Sequence, residues 1–239
     1  MPHLLSKSKY IRGLQCDRAL WLDVHEPRLA RYSAEQMRRF DAGRDFEYAY
    51  KAQFPEGVDI SAELKRNVDA YPALTAELLD RGPLQTADSP DTGGNGIVLF
   101  EAGFQYDDVL VLADVVRQRE DGSLDIYEVK SGSTVSATYK RDAALQHYVI
   151  SHCRRVNSFS VVYNGEYGPD GSNGHFVSVD LTEELAAEAD EIARHIAVMK
   201  QIALSPAEPA TPTGQHCLEP YACPYRHHCQ LGSRQLALF

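Results

Sequence analysis

Two predicted strands carry an aspartate, a glutamate and a lysine where apolar residues would otherwise continue the pattern. In VLVLADVVRQ, Leu110, Leu112 and Asp114 fall on one face when side chains alternate along a strand. In LDIYEVKSG, Glu128 and Lys130 share a face for the same reason. The turn-forming sequence EDGS joins these strands into a hairpin. We therefore expect the two carboxylates and the ammonium group to lie together at the end of a sheet.

Carboxylates and a lysine in this arrangement would hold a hard divalent cation for phosphodiester hydrolysis. Mg²⁺ or Mn²⁺ would polarise the phosphate and lower the pKa of a bound water. The ammonium group of Lys130 would orient that water or stabilise the developing charge. A lone E-x-K is more often a surface ion pair, so Asp114 and the helix that follows are needed to support this interpretation. On that helix, Gln146 follows Lys130 by sixteen residues.

A long helix, SAEQMRRFDAGRDFEYAYKAQF, is predicted to begin at its capping residue Ser33. Its narrow stripe at helical spacing consists of Phe40, Gly43, Glu47, Tyr50 and Phe54. Glu47 is thus directed toward the core, where a carboxylate needs a cation or another partner. Two interpretations are open, since Glu47 either binds the metal or is a rim residue paired with an arginine. Glu101, in the first strand of the meander, is either an auxiliary acid or a structural residue.

The cysteines are placed at the two ends of the chain. Cys16 stands alone near the start, while Cys217, Cys223 and Cys229 follow one another with five residues between successive members. Because no apolar secretory segment opens the chain, we expect reduced thiols that bind metal and a cytoplasmic protein. Cys153 lies far from this set and is predicted to be a small buried residue.

The C-terminal segment has few aliphatic residues, so we expect a metal centre to hold it in place. An iron-sulfur cluster ligated by the cysteines is one interpretation. The other is a zinc site of mixed ligands, for which the neighbouring histidines are His216, His227 and His228. The spacing of the cysteines does not separate the two.

The order of elements predicts an α/β (α+β) fold with a mixed central sheet flanked by helices. Helices near the start are followed by a meander of three strands, then by the helix ATYKRDAALQHYVISHC, two further strands and a last long helix that begins at Thr182. A Gly-rich break, DSPDTGGNG, precedes the meander. We predict a cysteine-ligand segment over 1–32, a catalytic core over 33–203 and a cysteine-rich segment over 204–239.

The net charge of −10 argues against a nucleic-acid partner, because phosphate contacts need lysine and arginine. Local positive clusters exist at Lys7, Lys9 and Arg12, at Arg38, Arg39 and Arg44, at Lys140 and Arg141, and at Arg154 and Arg155. These clusters would either line a groove or form ordinary solvated helix faces. No apolar run approaches the roughly 20 residues needed to cross a bilayer, so we expect no membrane partner.

The sequences ADVV, YEVKSG and DAALQHYVI resemble the D, E-x-K and Q motifs of the RecB-like branch of the PD-(D/E)XK superfamily. With Cys16 and the C-terminal cysteine triplet, the chain is similar to the CRISPR-associated RecB-like exonucleases, to the nuclease domain of AddB and to a related uncharacterised bacterial family. The resemblance covers nearly the whole chain. Glu47, four residues after Gly43, stands where relatives carry a histidine.

This resemblance implies a restriction-endonuclease-like core and a DNA exonuclease acting on single-stranded or end-frayed DNA. The catalytic residues that it implies are Asp114, Glu128, Lys130 and Gln146, and the ligands of Mg²⁺ or Mn²⁺ are Glu47, Asp114 and Glu128. It also implies a [4Fe–4S] cluster ligated by Cys16, Cys217, Cys223 and Cys229. Protein partners in DNA repair, CRISPR adaptation or phage defence would accompany such an enzyme.

Two other functions remain open from the sequence. A nucleic-acid-binding accessory subunit that cuts little would agree with the acidic net charge. A zinc-stapled hydrolase acting on small phosphoesters would use the same carboxylates. The presence of Asp114, Glu128, Lys130 and Gln146 together favours the nuclease over the accessory subunit.

Overall fold

The structure, a computed structural model, describes residues 3–65, 67–82, 96–165 and 175–230. Within these residues a mixed seven-stranded sheet is flanked by helices. The strands are β1 (Leu5–Ser6), β2 (Val58–Asp59), β3 (Val98–Tyr106), β4 (Val109–Gln118), β5 (Leu124–Lys130), β6 (Val156–Gly165) and β7 (His175–Asp180). The helices are α1 (Lys7–Gln15), α2 (Asp17–His25), α3 (Ala34–Lys51), α4 (Ile60–Leu64), α5 (Tyr71–Arg81), α6 (Ala137–Cys153), α7 (Thr182–Ala187) and α8 (Ala189–Ala203).

The sheet has the order β2-β3-β4-β5-β6-β7. Strands β3, β4 and β5 form the predicted antiparallel meander, and α6 then carries the chain to β6, which is parallel to β5. Strand β7 closes the sheet antiparallel to β6. The predicted mixed α/β architecture is therefore confirmed.

Strand β4 has two different neighbours along one edge. Near its start it pairs with β1, where Leu5 lies opposite Val109. Near its end it pairs with β5, where Val115 lies opposite Tyr127. In the part of the chain that the structure describes, neither strand pairs with residues 111–114 of β4. The sheet thus contains a fork between β1 and β5, and Asp114 lies at its β5 end.

The apolar side chains form a large cluster on one face of the sheet and a smaller cluster on the other. Strict alternation would put Ala113 and Val115 of β4 on the same face. Instead, Ala113 packs in the large cluster and Val115 in the smaller one. The opposite strand changes face at the same level, since Phe100 and Ala102 also pack in different clusters. The regular pleat is interrupted beside the fork.

Several predicted elements have the expected bounds and others differ. Helix α6 spans the predicted residues, and Ser33 caps α3 through a capping box with Gln36. Phe40 was expected to face the core but is 48% exposed, because the first half of α3 lies on the surface. The predicted last helix is divided at Glu188 into α7 and α8. Most of the predicted Gly-rich break lies outside the described residues.

The two ends of the chain meet on one side of the molecule. Ala19 and Leu22 of α2 pack against Tyr225 and Cys229 of the C-terminal segment. Tyr225 is fully buried, and its hydroxyl donates to Asp23. The C-terminal segment therefore has an aromatic anchor that its composition did not predict. The predicted boundaries at residues 32 and 203 remain predictions.

No helix among the described residues combines the length and apolar character that a bilayer crossing requires.

Candidate metal and phosphate site

Asp114 and Glu128 occupy the fork between β1 and β5. Asp114 reaches across to β5, where its Oδ2 accepts a hydrogen bond of 2.7 Å from the backbone N–H of Val129. Glu128 is fully buried, and its Oε1 accepts from Lys130 Nζ at 2.5 Å. Lys130 Nζ also donates to Asp142 Oδ2 at 2.6 Å. The structure thus brings Asp114, Glu128 and Lys130 together and adds Asp142, from α6, to them.

Lys7 is a second lysine in this site. Its Nζ donates to Glu128 Oε1 at 2.9 Å and lies 3.8 Å from Asp142 Oδ2. The residue is the first of α1, and Ser6 both ends β1 and caps that helix. Sequence reasoning placed Lys7 only in a positive cluster on the chain's first helix. The pairing of β1 with β4 brings Lys7 into the fork. No feature of the sequence near Lys7 predicts this pairing.

The surroundings shift the two buried carboxyl groups in opposite directions. Burial raises the pKa of Asp114 well above its usual range, and the nearby carboxylate of Glu128 raises it further. Burial also acts to raise the pKa of Glu128, but Lys130 and Lys7 outweigh it and hold that pKa below its usual value. In the absence of a cation, Glu128 is therefore the charged partner and Asp114 is the carboxyl group most costly to ionise.

A second carboxylate group adjoins Asp114. Glu47, Glu101 and Asp114 each offer an oxygen, and these oxygens lie within 4.8 Å of one another. Among the described residues, this is the one group of three or more Asp, Glu, His or Cys residues that is so compact. Glu128 lies outside it, whereas Glu101, treated in the sequence as an auxiliary or structural acid, lies inside.

Lys51, the last residue of α3, bridges two of these carboxylates. Its Nζ lies 2.5 Å from Glu47 Oε1 and 2.6 Å from Glu101 Oε1. The side chain is 8% exposed, and Nζ lies 5.7 Å from the centre of the Phe100 ring. The expected alternative for Glu47, a rim ion pair, is present with a lysine four residues later in place of an arginine.

Glu101 has a backbone conformation that favours glycine. Its φ is +54°, in the middle of β3, at the level where the strand changes the face to which its side chains point. A non-glycine residue in this region stores backbone strain, which persists when the surrounding contacts compensate. The bond to Lys51 is one such contact. No feature of the sequence around Glu101 predicts a positive φ at this position of the strand.

Several polar side-chain atoms on β5 and α6 are buried and unpaired among the described residues. Within the described residues, Glu128 Oε2, Asp142 Oδ1 and both side-chain polar atoms of Gln146 have no hydrogen-bond partner. Gln146 is fully buried on α6, which packs against β3, β4 and β6. Such atoms cost free energy unless a ligand, ion or water satisfies them. Of these residues, Glu128 and Asp142 contact Lys130 and Lys7, so a ligand bound there would satisfy their unpaired oxygens.

Two tyrosines border the site. Lys130 Nζ lies 5.6 Å from the centre of the Tyr139 ring. Tyr221, in the C-terminal segment, is 43% exposed and bonds to the side chain of Thr138, while nearby Tyr139 and Asp142 help raise its pKa after the larger effect of burial. The amide nitrogen of Gln15 holds this part of the segment, at 2.7 Å from the Tyr221 carbonyl oxygen.

The four predicted cluster cysteines converge at the meeting of the chain ends. Cys16 lies between α1 and α2, and Cys217 and Cys229 are buried. Burial raises the pKa of Cys229 to about 11, and repulsion from Cys223, Cys16 and Cys217 adds to the shift. Among the described residues, however, no three thiol sulfurs lie within 4.8 Å of one another.

Cysteine and histidine residues outside this set are placed differently from expectation. Cys153 was predicted to be buried, but it is exposed at the end of α6, with its Sγ 3.5 Å from the Gln105 carbonyl oxygen. His216 Nε2 lies 3.6 Å from Cys217 Sγ, and His228 pairs with Glu208 at 3.4 Å. Of the three candidate histidine ligands, His216 is therefore in contact with a cluster cysteine.

The chain has a weak structural likeness to known proteins and no match to a known family. No protein-family model and no curated protein matches the chain. Among the solved structures that match is one described as "Crystal structure of SSO0001", which has 11% sequence identity and a TM-score of 0.37 over 86% of this chain and 86% of that chain. A likeness at this TM-score carries no inference about the fold or the activity of the present protein.

Proposed function

We propose that this protein is a divalent-metal-dependent nuclease that hydrolyses phosphodiester bonds in single-stranded or end-frayed DNA. The observation that carries the proposal is a pair of buried carboxylates, Glu128 and Asp142, which contact Lys130 and Lys7 in the fork of the sheet and each keep one oxygen unpaired among the described residues. Asp114 from β4, Glu128 and Lys130 from β5 and Asp142 from α6 converge there. The antiparallel meander and the α6 connection to a parallel strand support a restriction-endonuclease-like core of the PD-(D/E)XK type.

The donor set fits Mg²⁺ or Mn²⁺. Hard divalent cations prefer carboxylate oxygens, and in this proposal Asp114, Glu128 and Glu47 supply them from three elements. Glu47 and Asp114 belong to the compact carboxylate group, and Glu128 lies outside it but close enough to Asp114 to raise the pKa of that residue. Glu128 Oε2 is buried and unpaired within the described residues, so a cation would satisfy it. When bound, such an ion polarises a phosphate oxygen and lowers the pKa of a water molecule.

Lys130 and Lys7 provide fixed positive charge next to the carboxylates. The ion pairs with Asp142 and Glu128 raise the pKa of Lys130 well above its usual value, although burial alone would lower it. Lys130 therefore remains an ammonium group that can orient a water or stabilise charge on a phosphate, without acting as a base. Gln146 has an unpaired donor and an unpaired acceptor among the described residues, and in this proposal it holds the attacking water or a phosphate oxygen.

The border of the site supports a nucleic-acid substrate over a small phosphoester. Tyr221 and Tyr139 present aromatic rings beside Lys130, and bases of single strands stack on such rings regardless of sequence. A single strand or frayed end has unstacked bases for this purpose, whereas a small phosphoester has none. The substrate class in this proposal rests on that pair of rings.

The proposal includes a cluster at the four outer cysteines that holds the chain ends together. A single zinc ion with Zn–S bonds of about 2.3 Å would bring its thiolate sulfurs within about 3.8 Å of one another. Among the described residues no three of these thiol sulfurs lie within 4.8 Å of one another, and we propose an iron-sulfur cluster on the basis of the resemblance of the cysteine pattern to that of the RecB-like relatives. Arg12 lowers the pKa of Cys223 and Arg18 that of Cys229 against the larger effect of burial, so positive charge is available to balance thiolates.

An accessory subunit that binds nucleic acid but cuts little is the second candidate. The observation that favours it is the net charge of −10, which weakens contacts to a polyanion away from the site. The two candidates differ in turnover rather than in binding, so a cleavage assay separates them.

The test is anaerobic purification followed by incubation with end-labelled single-stranded DNA, duplex DNA with frayed or blunt ends, RNA and a small phosphodiester. We expect single-stranded or end-frayed DNA to be cut with Mn²⁺ or Mg²⁺ and to be intact with a chelator. Asp114→Ala and Glu128→Ala variants should bind DNA without cutting it. Binding without metal-dependent cleavage by the unsubstituted protein would support the accessory subunit, and preferential turnover of the small phosphodiester would support the small-phosphoester hydrolase.

A further inference from the structure

Lys51 lies between two glutamates of the carboxylate group that also contains Asp114. Glu47 and Glu101 both lie on its ammonium group, at 2.5 and 2.6 Å. Asp114 adjoins the same two carboxylates, because an oxygen of each of the three residues falls within a 4.8 Å group. Lys51 therefore neutralises one side of a continuous carboxylate network whose other side is formed by Asp114 and Glu128.

We infer that the site takes one divalent cation per chain, and that Lys51 permanently fills the position of a second. This inference rests on the proposed metal-dependent function and specifies its stoichiometry. The connected network contains five carboxylates, namely Glu47, Glu101, Asp114, Glu128 and Asp142. It contains three ammonium groups, those of Lys7, Lys51 and Lys130. When all five carboxylates are ionised, as metal binding requires, the difference is two negative charges, which one divalent cation neutralises.

Charge balance matters here because the groups are buried. Uncompensated charge in a protein interior is costly, so a site with a deficit of two positive charges favours one divalent ion over none. A second divalent ion would reverse the imbalance and leave an excess of two positive charges before substrate arrives. With Lys51 removed, the deficit grows to three and a second ion becomes favourable.

Lys51 is held firmly enough to exclude an ion from its position. It is the last residue of α3, and its neighbour Tyr50 packs in the smaller apolar cluster with Phe100. Its side chain is 8% exposed, and its Nζ lies within 2.6 Å of an oxygen of both Glu47 and Glu101. Displacing the ammonium group from both carboxylates would leave it buried without a partner. The free-energy cost of that state exceeds the gain from binding a second ion in its place.

Glu101 has a defined part in this arrangement. Its backbone has a positive φ and its carboxylate accepts a hydrogen bond from Lys51, so we assign it the role of a positioning residue for the cation side of the network. Both glutamates contact Lys51 through Oε1, and the proposed ligand set assigns the metal to Glu47. The two glutamates, equally close to Lys51, should therefore differ in their effect on metal binding.

The experiment counts Mn²⁺ bound per chain by electron paramagnetic resonance in the full-length protein, without substrate. We expect one Mn²⁺ in the unsubstituted protein and two in Lys51→Met. The control Lys140→Met removes a charge from an exposed pair with Glu184 and should leave the count at one. Glu101→Gln, which keeps Lys51, should also bind one Mn²⁺ with an affinity changed by less than about threefold, while Glu47→Gln should weaken binding by about tenfold or more.

Each result has a distinct meaning. Two Mn²⁺ in the unsubstituted protein, falling to one in Glu101→Gln, would overturn the inference and leave the metal-dependent function intact. One Mn²⁺ in Lys51→Met, bound more tightly than in the unsubstituted protein, would show that the metal displaces Lys51 and would also overturn it. If Lys51→Met does not fold, the unsubstituted count and the Glu101→Gln variant decide. No bound Mn²⁺ in any variant would contradict the proposed function itself.

Discussion

At the scale of single residues, Asp114 combines a structural bond with an electrostatic cost. Its Oδ2 accepts from the Val129 N–H and so holds β4 and β5 together where their pairing ends. Burial and the Glu128 carboxylate both disfavour its charged form. A group that is costly in the metal-free protein and useful only with a cation is typical of functional sites.

Asp114→Asn should therefore stabilise the metal-free protein while removing its response to metal. Asparagine retains an oxygen that accepts from Val129 and carries no charge, so we expect a gain of about 1 kcal/mol or more in chelator at pH 8. Melting curves with and without Mn²⁺ check both parts. The unsubstituted protein should gain stability with Mn²⁺ and the variant should not. A variant that is less stable than the unsubstituted protein in chelator would show that the structural bond dominates.

The sequence alone located the residues of the meander but not all of their partners. The hairpin of VLVLADVVRQ and LDIYEVKSG was enough to bring Asp114, Glu128 and Lys130 together, because a short hairpin fixes which residues are neighbours. Alternation alone was not, since Ala113 and Val115 of β4 pack on different faces of the sheet. Lys7 and Lys51 were missed because their approach depends on contacts made by residues distant in sequence. A lysine at the start or end of a helix is ordinary, and nothing local distinguishes these two.

At the scale of elements, the C-terminal segment contributes to the border of the site as well as to the cysteine centre. Tyr221 bonds to the side chain of Thr138 near the start of α6, and Gln15 of α1 holds its carbonyl oxygen. Cys217 and Cys223 lie on either side of it in the chain, and the Cys223 N–H donates to the Cys217 carbonyl oxygen at 2.9 Å. The loop that carries Tyr221 is thus closed at its base by two predicted cluster ligands.

Tyr221→Ala should weaken the use of single-stranded DNA but not of a small phosphodiester. Loss of one stacked base costs about 1 to 3 kcal/mol, so we expect KM for DNA to rise by roughly tenfold with little change in kcat. Tyr221→Phe keeps the ring and should behave like the unsubstituted protein. Steady-state kinetics on both substrates provide the measurement. An equal loss on DNA and on the small phosphodiester would assign Tyr221 a structural role.

Helix α6 also carries a buried group that links stability to pH. Burial lowers the pKa of His147 below its usual value of 6.5. The folded state therefore binds the proton less well than the unfolded state, and stability is lost as the pH falls through the usual value and below. His147→Leu should remove this part of the acid sensitivity, as measured by urea unfolding between pH 5 and 8. An unchanged pH profile would exclude His147 as its source.

The agreement between predicted and observed helices depends on how much of each helix is covered by the rest of the protein. Helix α6 spans its predicted residues because Ser136 caps it and most of its length is buried between strands. On α3 the predicted core-facing stripe is correct for Tyr50, which is buried, and wrong for Phe40, which is exposed. The reason is that only the last part of that helix reaches the sheet. Helical periodicity indicates which side chains share a face, but it does not give the length over which a partner covers that face.

At the scale of the whole molecule, the sheet and the cysteine centre depend on the same N-terminal segment. Lys7 at the start of α1 enters the site, and Cys16 at the end of that helix enters the cysteine group. Between them, Tyr10 is fully buried in the main core. A change at the cysteine centre is therefore expected to reach the site through one short helix.

Serine substitutions at the four outer cysteines should destabilise the protein as a group. A cluster joining Cys16 to Cys229 closes a very long loop, and its loss should cost about 3 kcal/mol or more, or roughly 10 °C in melting temperature. The brown colour of anaerobically purified protein should disappear, and the C-terminal segment should become protease-sensitive. Exposed Cys153 provides the matched control, because Cys153→Ser should change none of these properties. Stoichiometric zinc without iron or sulfide would contradict the iron-sulfur cluster and indicate a zinc ion bound by the same cysteines.

The most direct measurement of the central claim compares Mn²⁺ binding and DNA cleavage in one variant, Lys130→Ala, with the exposed-site control Lys140→Ala. Lys130 is assigned to charge stabilisation and not to metal ligation, so Lys130→Ala should still bind Mn²⁺ but cut single-stranded DNA about 10³-fold or more slowly. Lys140→Ala should bind and cut like the unsubstituted protein. Near-normal cleavage by Lys130→Ala would contradict the assignment of the catalytic site to the fork between β1 and β5.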